Sequence, residues 1–264
     1  MAIKKPQTTA VTTWDEELAK QAEIAAGMEA NTGAGQFFSV KGGILSWQDS
    51  PIPGNTMGVI ILDSILENIY YEGRYDPSVP QSPTCFAFGR EEKTMAPHKI
   101  IVEVGSQQHD QCAGCPMNEF GSANIGKGKA CRNTRRLGMV SAGTFGKDGK
   151  FNLTEDMEYY ETTAVGFMKL PVTSVKGYAS FVKQVAGALR RPPFGIVTKV
   201  SVVPDATSQF KVVFEPIMSL PNEFMSVIMR RHEEVKSVID FPYQPNEEDA
   251  QPKKQPTKKN SRKY

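Results

Sequence analysis

Three of the four cysteines fall within the stretch CAGCPMNEFGSANIGKGKAC, from Cys112 to Cys131, and the fourth, Cys85, precedes it. A Cys-x2-Cys pair lets two thiolates meet one ion from a tight turn, and Gly114 and Pro116 suit that turn. Zinc asks for four ligands. Cys85, Cys112, Cys115 and Cys131 give an all-cysteine set; His109 or His98 in place of Cys85 gives three cysteines and a histidine. The same thiolates also suit an iron–sulfur cluster. No βαβ context surrounds Cys112 and Cys115, so a thioredoxin-like redox pair is not expected.

Catalytic zinc keeps an open position and normally has histidine or carboxylate ligands with a general base nearby. Glu119 is close, but no His-x-Glu partners the cysteine pair, and the zinc-deaminase signature fails. The segment Gly126–Lys129 lacks the spacing and the hydroxyl of a phosphate loop. The three histidines, His98, His109 and His232, sit in no nucleophile motif, and neither a Gly-x-Ser-x-Gly elbow nor a dinucleotide glycine fingerprint occurs. The expected metal is structural zinc, and the expected protein is not an enzyme.

Beside the cysteines the charge is sorted. The last twelve residues carry Lys253, Lys254, Lys258, Lys259, Arg262 and Lys263 and no acid; without them a net charge of +2 becomes about −4 for the body. Within that acidic body, Lys127, Lys129, Arg132, Arg135 and Arg136 form one acid-free basic segment. A second, from Thr162 to Pro204, contains Lys176, Lys183, Arg190 and Arg191. Such sorting is the footprint that polyanion binding needs. Single strands also need aromatics on which bases stack. Trp47, Tyr70, Tyr71 and Tyr75, with Arg74 and Arg90 nearby, are the candidates.

These side chains need a sheet to hold them. Short alternating runs predict strands at QFFSV and ILSW, a long bent or bulged strand from Gly58 through Tyr75, and further strands at TCFAFG, HKIIVEVG, RRLGMV, AVGFMKL, FGIVTKVSVV and FKVVFEPI. Thr13 and Glu16 fit a capping box for a helix to about Met28. Val175, Tyr178, Val182, Val185 and Leu189 make the apolar stripe of a helix over Ser174–Arg190, and another helix is expected over Pro221–Val238. The pattern predicts a mainly β, α+β chain. Its expected parts are an N-terminal extension and helix (1–33), an OB-like β-barrel core (34–241) with a zinc-binding insertion around 85–136, and a disordered basic tail (242–264). No run approaches the length of a membrane span and no signal peptide is evident, so a cytoplasmic location and no membrane partner are expected.

The knuckle Cys112-x2-Cys115-Pro116, set between strands and followed by a basic strand, resembles the zinc-containing single-stranded-DNA-binding, helix-destabilising proteins of T-even-type tailed phages. The stretches TCFAFG, GKGKAC and RPPFGIVTKVSVVP are similar in style to phage replication modules. That resemblance implies an OB-fold, structural zinc, single-stranded DNA as partner, and replication or recombination proteins as further partners in a host cytoplasm. It implies sequence-nonspecific binding that protects single strands in replication or recombination. Two features depart from the family: Cys131 follows the knuckle at a distance, and the chain ends basic where the family ends acidic. The alternatives are a phage structural or interaction protein stapled by zinc, and an iron–sulfur DNA-processing enzyme.

Overall fold

The apolar run beginning at Met57 becomes the spine of one mixed sheet. In the computed structural model, which describes residues 14, 18, 21, 37–73 and 82–243, the chain runs β1 (Phe37–Lys41), β2 (Ile44–Trp47), β3 (Ser50–Pro51), β4 (Thr56–Tyr70), β5 (Cys85–Gly89), α1 (Lys99–Glu103), β6 (Arg132–Phe145), β7 (Phe151–Leu153), α2 (Met157–Thr162), β8 (Gly166–Leu170), α3 (Val172–Leu189), β9 (Ile196–Asp205), β10 (Gln209–Ser219) and α4 (Met225–Val238). The strands join in the order β10-β9-β4-β6-β8-β1-β2-β3, with β5 also on β4 and β7 also on β6.

One edge of β4 is shared. Its first residues pair with β9 and its last, Leu66 to Tyr70, with β5, while the opposite edge pairs with β6. The expected bulges lie between Gly58 and Val59 and between Ile61 and Asp63.

Both faces of β4 are covered. Val59 and Ile61 join a core with Tyr178, Phe181 and Val185 of α3. Ile60 and Leu62 join a second core with Tyr160 of α2 and Val227, Ile228 and Val235 of α4. Double burial explains why the sequence reads as an unbroken apolar run.

The OB-like barrel expected from the strand count is not found. The sheet is open, ending at β10 and β3. Closure is a matter of which distant strands pair, and strand-forming residues alone do not specify that. Helices cover the faces instead.

HKIIVEVG is a helix rather than a strand. His98 caps α1, its Nδ1 accepting from the Ile100 amide at 3.4 Å, while its own amide donates to the Phe86 carbonyl. A short apolar run satisfies either periodicity, and here the cap decides. Most of the expected helix from Thr13 lies outside the described residues; Trp14, Leu18 and Gln21 are helical and exposed. Tyr243, which the sequence places in the expected tail, is tucked against the sheet, its hydroxyl donating to Glu67 Oε1. Residues 244–264 lie outside the described residues. No helix among the described residues is long and apolar enough to cross a membrane.

Gly143 marks where β7 folds back on β6. Its φ is +149°, and a Cβ there would collide with the Asn152 carbonyl oxygen. Gly143→Ala is expected to cost about 2–4 kcal/mol through strain and overlap. Urea denaturation checks this; an unchanged midpoint would refute it.

Candidate metal centre and basic surface

The four cysteines come from three places in the chain and meet at the far end of β4. Cys85 opens β5 opposite Tyr70, and Cys131 stands just before β6. Between α1 and β6, Cys112 and Cys115 form the knuckle. Its turn is built as the residue types require: Gly114 takes φ +78°, the Cys115 amide donates to the Cys112 carbonyl, and Pro116 begins a 3-10 turn. Asn118 Nδ2 donates to the Cys112 carbonyl at 3.0 Å. The Cys131 amide donates to the Met117 carbonyl at 2.7 Å, which brings the last cysteine back to the knuckle.

All four cysteines line one cavity of about 20 Å³, together with Asn68, Phe86 and His109. That volume suits a single water-sized or ion-sized occupant. All four are free of disulfides. Among the described residues, no three His, Cys, Asp or Glu side chains stand in ready-made metal-holding geometry. Neutral thiols pack as small hydrophobes and have no cause to close to ligand distances, so the shared cavity is the more telling observation.

Without a cation, the surroundings disfavour thiolates. Burial pushes the Cys131 thiol up to about 12, and neighbouring cysteines add to the rise. Burial also raises Cys85 and Cys112. Against this, the Asn68 side chain favours the Cys112 thiolate, and backbone bonding at Gln108 and Ile69 favours those of Cys85 and Cys131. Asn68 Oδ1 accepts from Asn133 at 2.7 Å, while the buried Nδ2 has no hydrogen-bond partner and is left to face the cysteines. An amide held toward sulfur is the usual support of a metal-bound thiolate.

The histidines are placed differently. His98 is not among the cavity residues; it caps α1 and stacks on Phe86, the ring centroids 5.1 Å apart. His109 reaches the cavity, but its Nδ1 lies 2.9 Å from the Gln111 carbonyl.

The basic candidates divide sharply. Lys127 and Arg132 are exposed beside the knuckle, and Lys129 Nζ donates to Asn118 Oδ1 at 3.2 Å. Lys176 and Lys183 are exposed on α3, and Arg190 is exposed at its C-cap. Arg135 is half-buried, its guanidinium 5.9 Å from the Tyr178 ring, and it links the basic strand to α3.

Arg136 and Arg191, assigned to the surface, are buried and half-buried struts, and Arg90, which is exposed, is held in an ion pair. Arg136 is 2% exposed and paired with Glu67, itself 0% exposed, at 2.6 Å. It also donates to the Ile239 and Phe241 carbonyls and lies between the rings of Phe88 and Phe241. Arg191 donates to the Leu220 carbonyl and to Asn222 Oδ1. Arg90 grips Asp63 with two hydrogen bonds and donates to the Ser64 carbonyl. Alternation along β6 turns one side chain of an adjacent basic pair inward, where burial requires a partner.

The aromatic candidates separate as well. Tyr70 lines the thiol cavity, and Tyr71, half-buried, follows directly after β4. Trp47 packs on Phe38, ring centroids 4.4 Å apart, and lines a second concavity of about 590 Å³ beside Gly58. Gly58 and Tyr70 lie at opposite ends of β4, separated by about 40 Å of extended chain. Arg74 and Tyr75 lie outside the described residues.

Sequence reasoning passed over Asn68 and Phe120. Asn68 had a signal, being a polar residue within an apolar strand. Phe120 had one too, as a lone aromatic in a glycine-rich polar loop. No protein-family model, curated protein or solved structure matches the chain.

Proposed function

We propose that the protein binds single-stranded DNA without sequence preference, and that a four-cysteine structural zinc centre holds the basic surface that does so. The likeness to phage helix-destabilising proteins is carried by the knuckle and its basic sequel, not by a barrel. Cys85, Cys112, Cys115 and Cys131 would hold the ion, which leaves neither His98 nor His109 as fourth ligand. The zinc would supply local folding energy and neutralise thiolate charge; the loop residues Lys127, Lys129 and Arg132 would meet phosphates.

One observation carries the reading: the segment that four cavity-lining cysteines tie down is the segment that bears exposed cations outside an otherwise acidic body. Arg135 continues that surface toward α3, where Lys176, Lys183 and Arg190 stand outward. The action would be passive, covering unpaired strands and keeping them open during replication or recombination.

Fluorescence anisotropy with labelled oligo-dT, repeated across salt concentrations, tests this. Six phosphate contacts predict that log K falls with log salt at a slope of about −4 for a single strand. Equal affinity for duplex, or a slope near zero, would remove the reading.

A further inference from the structure

The knuckle loop displays a ring that, among the described residues, only the Lys129 ammonium approaches from above. Phe120 is 82% exposed and Ile125 is 79% exposed, while the chain around them is tightly organised. The Gly121 amide donates to the Gly128 carbonyl at 2.9 Å, and the Ala123 amide donates to the same oxygen at 3.2 Å. Ser122 Oγ accepts from the Ala130 amide at 2.9 Å and lies within bonding distance of the Met117 and Glu119 carbonyls. Gly121 and Gly126 take the positive φ values, +92° and +81°, that close the loop.

A loop that holds a phenyl ring in water forgoes the gain of burying it. A solitary exposed apolar residue would be ordinary; this one has a cation over its ring. Lys129 Nζ lies 5.2 Å from the centre of the Phe120 ring, and Lys127 and Arg132 are exposed close by in sequence. A flat apolar surface beside positive charge matches one repeat of a single strand, a base and its phosphate. A lipid surface matches the charge but has no flat group to stack on the ring.

We propose that Phe120 is a base-stacking residue: the metal-tied loop offers its ring to one unpaired base while Lys127, Lys129 and Arg132 take the adjoining phosphates. The inference rests on the single-strand reading above and adds the residue that reads the bases. Stacking needs a ring held in place, and glycine-rich chain alone does not hold one. A metal clamp at the knuckle would serve that role.

The test is oligo-dT binding by the full zinc-loaded chain, comparing wild type with Phe120→Ala and Phe120→Trp. Because the ring is exposed, Phe120→Ala is expected to keep its thermal midpoint and metal content while single-strand affinity falls about 5- to 100-fold. The salt slope should stay as in wild type, since no phosphate contact is lost. Phe120→Trp should bind at wild-type strength, with fluorescence quenching beyond that of Trp14 and Trp47.

If wild type binds oligo-dT and Phe120→Ala binds within twofold of it, the proposal fails and the single-strand reading stands. If Phe120→Ala instead alters sedimentation with DNA affinity unchanged, the ring serves a protein contact and the proposal is overturned. If wild type does not bind oligo-dT at low salt, the reading itself falls, and the proposal with it.

Discussion

Replacing Cys112 or Cys131 with serine is expected to reduce bound zinc from about one ion per chain to nearly none, and to release the knuckle from the sheet. The effect should be large, because structural zinc in small domains binds with about 10–16 kcal/mol of apparent free energy near neutral pH. Here the ion would tie one local segment rather than the whole fold. The expected signature is therefore rapid proteolytic cleavage between Met95 and Arg132, with the helix-covered sheet still folded. Metal analysis with limited proteolysis would show it; full zinc content in Cys131→Ser would refute the four-cysteine set. Cys85→Ser separates the ligand alternatives, since a histidine-containing site would retain its zinc.

Proton linkage gives this prediction a direction in pH. Burial raises the thiols of Cys85, Cys112 and Cys131 above the ordinary 9.0, so at neutral pH metal must displace protons. Zinc affinity should rise with pH and fall on acidification. For the metal-free chain the sign is opposite. Raised thiol values stabilise the fold below pH 9.0, and that contribution is lost as pH climbs toward about 12, the value for Cys131.

Arg136→Met is the second change with a large expected effect, a loss of about 3–5 kcal/mol. It strands Glu67 as an unpaired buried carboxylate whose Oε2 already lacks a partner. It also removes the donor to the Ile239 and Phe241 carbonyls, and with it the anchor of the segment after α4. Tyr243 closes the cluster: its hydroxyl donates to Glu67 Oε1 at 2.8 Å and its ring lies against Phe86 and Phe88. The double variant Glu67→Leu, Arg136→Met should recover only part of the loss, because the two carbonyls stay without a donor. Urea midpoints for the single and double variants decide; a single-variant cost below about 1 kcal/mol would contradict burial of the pair.

The same cluster predicts alkaline sensitivity. Burial and the Glu67 carboxylate push the Tyr243 phenol above its ordinary 10.0. Its contribution is complete below pH 10.0 and declines as pH rises above it. Tyr243→Phe should flatten that decline.

Much of the local structure was legible from residue types. The bulged β4, the strands β1 and β2 and the α3 stripe followed from periodicity, and the turn at Gly114 and Pro116 from backbone preference. Those signals act over a few residues, and their physics travels with the residue. The α1 segment was misread because Lys99–Glu103 is too short for its period to be distinctive.

The chain alone determined that there would be a sheet with few helices, a cysteine turn, and positive charge gathered in two acid-free segments. It could not say which cations face water. Arg135 and Arg136 are neighbours of one chemical type, yet Arg136 is a buried strut and Arg135 lies half-buried over Tyr178. Only the pairing of β6 with β4 and β8 decided that, because burial depends on what lies across the sheet. Tertiary structure likewise replaced the expected barrel with an open sheet and drew Cys85 from β5 to the knuckle's cavity. Contacts between residues far apart in sequence carry no local signature, and at this site they determine which thiols share a cavity.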